Sequence, residues 1–358
     1  MMKKLIIAAA GSGKTRTLIH KAFNCKDAVL ITTYTDKNKD EIAKRFIKLC
    51  GYIPSNITIL PWYTFILKHF VKPFQGCFWK HTIKGINLVN ASSTQYIKEE
   101  DIEHFYFDHD KKIYSDKIAQ FGIKCNKHYN NIAINTLAQI YKYIFIDEVQ
   151  DISGYDLDII KIIFECPNIN LLCVGDPRQG VFTTSKGQKN SQFRQSNIIK
   201  FFSSLEKKGL IIDKSSLNIN FRCTDLICRL SDRLYPEFPP ITSGNIETNE
   251  HLGVYFVKHN DLKDYLEKFH PVQLRYDSRT KVNETHPFHS LGLSKGLSFD
   301  RVIIYPTTSF LEWLIHGKEL SSTTKSKFYV GITRARYSVA IVYDYSARDK
   351  IEGIKKYK

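Results

Sequence analysis

Apolar residues along this 358-residue chain follow two rhythms. Short continuous runs, Leu5-Ile6-Ile7, Ala28 to Thr32, Ile57 to Leu60, Tyr143 to Ile146 and Leu171 to Val174, read as strands buried on both faces. Between them the spacing turns helical: Leu18, Ile19 and Ala22 follow the first run, and Glu41 to Ile47 follows a polar start at Thr35-Asp36-Lys37. Strands alternating with helices predict a doubly wound α/β fold with a parallel sheet, whose ligand sites lie beyond the strand C-termini. The rhythm blurs between residues 66 and 140, where basic and aromatic residues mix with Glu99-Glu100-Asp101-Ile102-Glu103; a mostly helical insertion is expected there. A second α/β region starts near residue 214, with strands expected at Val254 to Val257, Val302 to Tyr305 and Val339 to Tyr343, and a loop at the Pro-rich segment 235–240. The expected organisation is a first domain over 1–65 and 141–213, the insertion over 66–140, and a second domain over 214–358.

Composition narrows the function classes. No charge-free apolar run is long enough to span a bilayer, so no membrane role is expected. The start Met1-Met2-Lys3-Lys4 leads into a strand rather than a signal peptide, and a cytoplasmic protein is expected. Lys and Arg number 52 against 36 Asp and Glu, a net charge of +16, which favours a polyanionic partner such as nucleic acid, although Lys-rich compositional bias gives the same number. The eight cysteines show no C-x-x-C pair and no zinc spacing, so reduced thiols are expected.

Candidate chemistry sits at the ends of the predicted strands. Ala8-Ala9-Ala10-Gly11-Ser12-Gly13-Lys14-Thr15 joins the first strand to the first helix, where a phosphate-binding loop must lie. Backbone N–H groups of Ala10, Gly11, Ser12 and Gly13 can cradle a triphosphate, Lys14 can neutralise its β/γ oxygens, and the Thr15 hydroxyl can ligate Mg²⁺. An ordinary Gly-rich turn with a capping Ser leaves the same local pattern. Asp147 and Glu148 end an apolar strand, where Asp147 can hold the metal's water shell and Glu148 can deprotonate a lytic water.

Seven segments in order, AAAGSGKT (8–15), TYTDKNKDEI (33–42), DEVQD (147–151), VGDPRQGVF (174–182), LNINFR (217–222), SKGLSF (294–299) and YVGITRAR (329–336), resemble the motifs of UvrD/Rep-like superfamily 1 helicases. The resemblance implies two RecA-like P-loop domains and ATP hydrolysis with Mg²⁺. It makes Gln179 a γ-phosphate sensor and Arg222 and Arg334 the pair that stabilises charge on the transferring phosphoryl group. It places Arg16 next to the nucleotide and Phe221 on the adenine, though Phe221 is equally readable as core. It implies a single strand of DNA, with RNA left open, contacted by Tyr34, Thr35, Phe182 and Lys295. Trp62 and Tyr63 fall at a strand exit on the expected face, and Trp62 is equally compatible with plain packing.

The departures from the family pattern are specific. Almost no chain precedes the first strand, leaving no room for the family's adenine-reading glutamine motif. Thr184 stands where relatives carry a base-stacking tryptophan, Ser298 where they carry a ribose-contacting glutamate, and Gly292 where they carry a histidine. About 70 residues separate Arg222 from Ser294, enough for a minimal second domain without the large accessory insertion of bigger relatives. Two functions remain open at this level. One is a 3′ to 5′ DNA translocase or helicase. The other is a nucleic-acid-sensing ATPase that switches a partner effector in defence or repair, and in either case a protein partner is expected.

Overall fold

The computed structural model describes residues 2–184, 187–248 and 250–358. The chain divides into two units, the first made of residues 1–6, 15–175 and 183–213, the second of residues 7–14, 176–182 and 214–358. Segments 7–14 and 176–182 group with the second unit, and residues 66–140 lie within the first.

Eight strands come first: β1 (Lys3–Ala8), β2 (Val29–Thr33), β3 (Ile57–Pro61), β4 (Gly85–Asn87), β5 (Lys112–Tyr114), β6 (Tyr143–Ile146), β7 (Asn170–Gly175) and β8 (Ile211–Leu217). Six of them form a sheet in the order β3-β2-β6-β7-β1-β8. β2 pairs in parallel with β3 and β6, and β6 with β7. Every residue of β2 and of β7 is buried, which is why these segments read as unbroken apolar runs. The helix Asp36–Cys50 starts where the Thr35 side chain accepts a bond from the Asn38 N–H. It ends at left-handed Gly51, whose N–H returns to the Ile47 carbonyl.

Between residues 66 and 140 lie the helices Ile118–His128 and Ile132–Ile140, a short helical turn at Ile102–Tyr106, and a two-stranded parallel sheet of β4 and β5 that the sequence pattern does not announce. The aromatics of this region pack on one another: Trp79 stacks on Phe107 at 4.1 Å between centroids, and Phe121 meets Tyr106 at 4.7 Å and Phe107 at 5.4 Å.

The second unit holds β9 (Ile219–Asn220), β10 (Thr242–Ser243), β11 (Gly253–Val257), β12 (Val272–Arg275), β13 (Phe288–Ser290), β14 (Phe299–Tyr305), β15 (Ala335–Val342) and β16 (Ile354–Lys356). Its sheet runs β13-β12-β14-β15-β11-β16 with parallel pairings throughout. The apolar runs predicted β11, β14 and β15 but not β12, because Gln273 interrupts its pattern. Gln273 is wholly buried and satisfied: its amide donates to the Asn283 carbonyl at 2.7 Å, and its oxygen accepts from the Tyr305 hydroxyl at 2.6 Å and the Asn283 N–H at 3.0 Å. Ala9 and Ala10 lie in the core of this unit with Cys223, Ile227, Leu274, Leu291, Tyr329 and Ile332, where a larger side chain would overpack. All eight cysteines are free. Among the described residues no helix is long and apolar enough to cross a membrane.

Candidate nucleotide and nucleic-acid site

The motif residues fall into two sets, one in each unit. In the first unit, β6 delivers Asp147 at its C-terminal end, and the Asp147 N–H extends the ladder to the Thr32 carbonyl at 2.9 Å. The Asp147 side chain is buried. It accepts the Thr15 hydroxyl at 3.2 Å on one oxygen and the Glu148 N–H at 2.9 Å on the other. Glu148 sits in the left-handed region at φ 52°, ψ 40°, a conformation costly for a residue with a side chain. Its side chain is half-buried, and the Gln150 amide donates to its carboxylate. Gly175, at the end of β7, leaves the space Gln150 occupies: a Cβ there would come within 2.4 Å of the Gln150 oxygen.

A hydroxyl and a carboxylate at this distance are hard oxygen donors of the kind Mg²⁺ accepts alongside waters and substrate phosphates, so these residues fit the metal the fold implies. Among the described residues no group of three or more His, Cys, Asp and Glu could hold a metal by itself, and Mg²⁺ in a phosphate site does not require one.

Tyr34 and Tyr63 follow β2 and β3 and meet edge to face at 6.2 Å. Both are half-buried, and burial pushes both hydroxyls above the usual tyrosine range. Thr35 is exposed at the helix start. Trp62 has no accessible surface and packs on Phe65 at 5.5 Å. Its role as a base-stacking residue is therefore corrected: a ring with both faces covered has none to offer a base, and Trp62 is core. Arg16 is exposed on the first helix, its Nε 3.5 Å from His20 Nε2.

The second unit holds the phosphate-loop residues up to Lys14, with which the helix Lys14–Phe23 begins. Gly11 and Gly13 take positive φ, 69° and 78°, which no side-chain-bearing residue adopts cheaply. At Gly11 a Cβ would also lie 2.4 Å from Asn220 Oδ1 and 3.0 Å from Arg222 Cβ. The Phe221 N–H bonds the Gly11 carbonyl at 3.1 Å, and Asn220 Oδ1 caps the turn that follows it, accepting the N–H groups of Arg222 at 2.8 Å and Cys223 at 3.0 Å. Two polar atoms here, Ser12 Oγ and Asn220 Nδ2, are buried without a protein partner. Orphaned polar groups on a positive-φ loop at a helix start suit phosphate oxygens.

Tyr329 links this loop to the segment after β7. Its hydroxyl accepts the Ala10 N–H at 3.5 Å and donates to Asp176 Oδ2 at 3.0 Å. Asp176, also buried, accepts Gln179 Nε2 at 2.9 Å and Arg178 Nε at 2.7 Å. Gln179 Oε1 in turn accepts Arg334 Nη2 at 3.4 Å. The Arg334 guanidinium is 2% exposed and also bonds the carbonyls of Val330 at 2.9 Å and Leu297 at 3.1 Å and the Thr333 hydroxyl at 3.2 Å. Arg222 reaches the Thr333 carbonyl at 3.0 Å. Gln179, Arg222 and Arg334 are thus gathered around the loop by Thr333, Tyr329 and Asp176. The sequence motifs contain these three linking residues, but nothing in their spacing assigns them a role.

Phe221 is 63% exposed, so the core alternative does not hold for it; one edge of its ring lies against Gly244, where a Cβ would come within 2.8 Å. Phe182 is also exposed, and the Lys295 ammonium lies 5.6 Å from its ring centroid.

Two parallel α/β sheets with a phosphate loop at the end of the first strand define a pair of RecA-like P-loop domains. Residues 2–184, just over half of the chain, match the family described as AAA domain, and the chain belongs to that family. No curated protein matches it. Solved structures that resemble it include the crystal structure of arterivirus nonstructural protein 10 (helicase), at 14% identity and a TM-score of 0.52, with 96% of this chain and 60% of that one covered. The complex of arterivirus nonstructural protein 10 (helicase) with DNA resembles it at 14% identity and a TM-score of 0.51, covering 96% of this chain and 62% of that one. This chain thus spans less than two thirds of the length of those structures, and at such identity the likeness is one of fold.

Proposed function

We propose that the protein is a superfamily 1 motor of the UvrD/Rep-like type that hydrolyses ATP with Mg²⁺ and moves 3′ to 5′ along single-stranded DNA. In this reading residues 1–65 and 141–213 form the first RecA-like domain, 66–140 its insertion, and 214–358 the second. The observation that carries it is the pairing of Thr15 with Asp147 beside a left-handed Glu148, because it sets two oxygens suited to Mg²⁺ next in the chain to a candidate base. Mg²⁺, when bound, withdraws charge from the phosphate oxygens.

The chain's own residues do the rest. The positive-φ loop and Lys14 hold the triphosphate, and Glu148 orients the attacking water and takes its proton. Gln179 and Arg334, bonded to each other, and Arg222 meet the charge that develops on the transferring group, guanidinium being suited to that by its planar fork of donors. Phe221 offers its exposed ring to the adenine, with Arg16 beside the nucleotide. Tyr34, Thr35, Tyr63, Phe182 and Lys295 contact the single strand through ring faces, hydroxyls and charge. Binding of DNA by an arterivirus helicase of the same fold supports a nucleic-acid partner for this chain.

A second reading is favoured by the burial of Trp62 and by threonine in place of an aromatic at 184, which leave fewer ring faces for bases: an ATPase that senses nucleic acid and switches a protein partner without unwinding. ATP turnover measured with and without oligo-dT, followed by strand displacement on 3′- and 5′-tailed duplexes, separates the two. Stimulation with displacement of the 3′-tailed duplex is the expected result. Stimulation without displacement selects the switch, and turnover indifferent to nucleic acid removes both.

A further inference from the structure

Thr184 replaces an aromatic at a position that the family resemblance assigns to base stacking, and the structure gives it a different task. It is 6% exposed and makes hydrogen bonds in three directions, all within the first unit. Its N–H donates to the Asp151 carbonyl at 2.9 Å. Its hydroxyl accepts the Ser153 N–H at 2.8 Å and lies 3.2 Å from the Ser153 carbonyl, to which it donates. Its own carbonyl accepts the Tyr63 hydroxyl at 2.8 Å. Tyr63 meets Tyr34 edge to face, while Asp151 closes a tight turn onto the Glu148 carbonyl at 3.0 Å. One residue therefore bridges the aromatic pair at the ends of β2 and β3 and the turn that sets Glu148 in its left-handed conformation.

We infer that Thr184 is a positioning residue, a hydrogen-bonded clasp that transmits engagement of a single strand at Tyr34 and Tyr63 to the Asp147–Asp151 turn and so raises the hydrolytic competence of Glu148. The clasp rests on the nucleic-acid reading above. Its physical basis is short range: no link in the path Tyr63 hydroxyl, Thr184 peptide, Asp151 carbonyl, Glu148 carbonyl exceeds 3.0 Å. A shift of the Tyr63 ring on binding a base pulls on the Thr184 carbonyl, and the Thr184 N–H pulls on Asp151; the Thr184 hydroxyl, bonded to both main-chain groups of Ser153, holds Thr184 to this segment so that the pull reaches the turn. The loss of a stacking aromatic at this position is thus a change from reading a base directly to reporting on a neighbour that reads it.

The test uses the full chain, oligo-dT as probe, and Thr184→Val, which keeps the shape and removes the hydroxyl. Thr184→Val is expected to bind oligo-dT within about threefold of the unaltered protein and to keep its unstimulated ATP turnover. Stimulation by oligo-dT should fall by about fivefold or more, the low end of ordinary coupling between sites. Thr184→Ser, which restores the hydroxyl, should recover it, and Tyr63→Phe, which removes one donor, should lose stimulation as Thr184→Val does. Hydrogen exchange without nucleotide gives a second readout: the Ser153 N–H loses its acceptor in Thr184→Val and should exchange faster, and in Thr184→Ser should not.

Stimulation of Thr184→Val equal to that of the unaltered protein overturns the clasp. So does a parallel fall of stimulated and unstimulated turnover, which marks a merely structural role, and so does failure of Thr184→Ser to recover stimulation. An unaltered protein that oligo-dT does not stimulate removes the nucleic-acid reading itself, and the clasp with it.

Discussion

The carboxylates at the end of β6 and the guanidinium of Arg334 are both candidates for the same phosphoryl chemistry, yet the chain fixes them by opposite means. Asp147 and Glu148 are placed by the backbone: a strand end, a continued ladder bond to Thr32 and one left-handed residue. Arg334 is placed by its side chain, held by Val330, Leu297, Thr333 and Gln179, which come from four different positions in the sequence. The difference teaches where chemistry and stability can be separated. A group oriented by its backbone can be changed at its tip without disturbing the fold, whereas a buried side chain that satisfies several carbonyls cannot.

The largest expected effect tests the first half of that contrast. Glu148→Gln keeps the shape, the left-handed backbone and an oxygen to accept the Gln150 amide, and removes only the base. ATP turnover should fall by about 10²–10⁴, the range a positioned general base contributes, while nucleotide affinity and Tm stay close to those of the unaltered protein. Turnover retained by Glu148→Gln would assign the proton to another acceptor and dissolve the contrast.

Arg334→Lys tests the second half. An ammonium has no fork of donors to span Leu297, Val330 and Gln179 at once, so buried acceptors are left short of partners. Stability should drop by about 2–4 kcal/mol, the cost of breaking a buried charge-assisted network, and turnover should fall with it. Denaturant unfolding beside a turnover assay checks this; a variant with unchanged midpoint and lower turnover would place Arg334 with the separable groups.

The sequence made the two regions unequally legible for the same reason. Strand-end acids and the phosphate loop are local: Tyr143 to Asp151 and Leu5 to Thr15 contain the strand, the turn and the chemistry within about ten residues each. The parallel sheets followed from unbroken apolar runs wherever those runs existed, and β12 escaped because buried Gln273 is polar and finds its partners in Asn283 and Tyr305. The cage around Arg334 joins residues 155 positions apart at its widest. No periodicity encodes that, nor does it encode why Tyr329 and Asp176 matter. Trp62 and Thr184 show what the pattern leaves open: an aromatic at a strand exit reads equally as platform or packing until its burial is seen, and a threonine in place of an aromatic carries no sign of the hydrogen bonds it makes.

The smallest expected effect sharpens the contrast inside the first unit, between two buried carboxyls. Asp147 has hydrogen-bond donors on both oxygens, from Thr15 and from Glu148. Asp156 is 4% exposed and its Oδ1 has no partner; burial pushes its carboxyl up to about 6. A carboxyl that titrates higher in the folded chain than in the unfolded one stabilises the fold fully only below its unfolded pKa, near 4, and that contribution is lost as pH rises through about 6. Above that range the folded protein carries a buried charge that the unfolded chain solvates freely. Asp156→Asn keeps an oxygen acceptor and cannot ionise, so it should match the unaltered protein near pH 4 and exceed it at pH 7.5 by at most about 3 kcal/mol, two pKa units of linkage. Urea midpoints across pH 4 to 8 measure this directly. A variant no more stable than the unaltered protein at pH 7.5 would mean that the Asp156 carboxylate is paired as well as that of Asp147, and the backbone-placed acids of β6 would no longer be distinguished by how their charge is met.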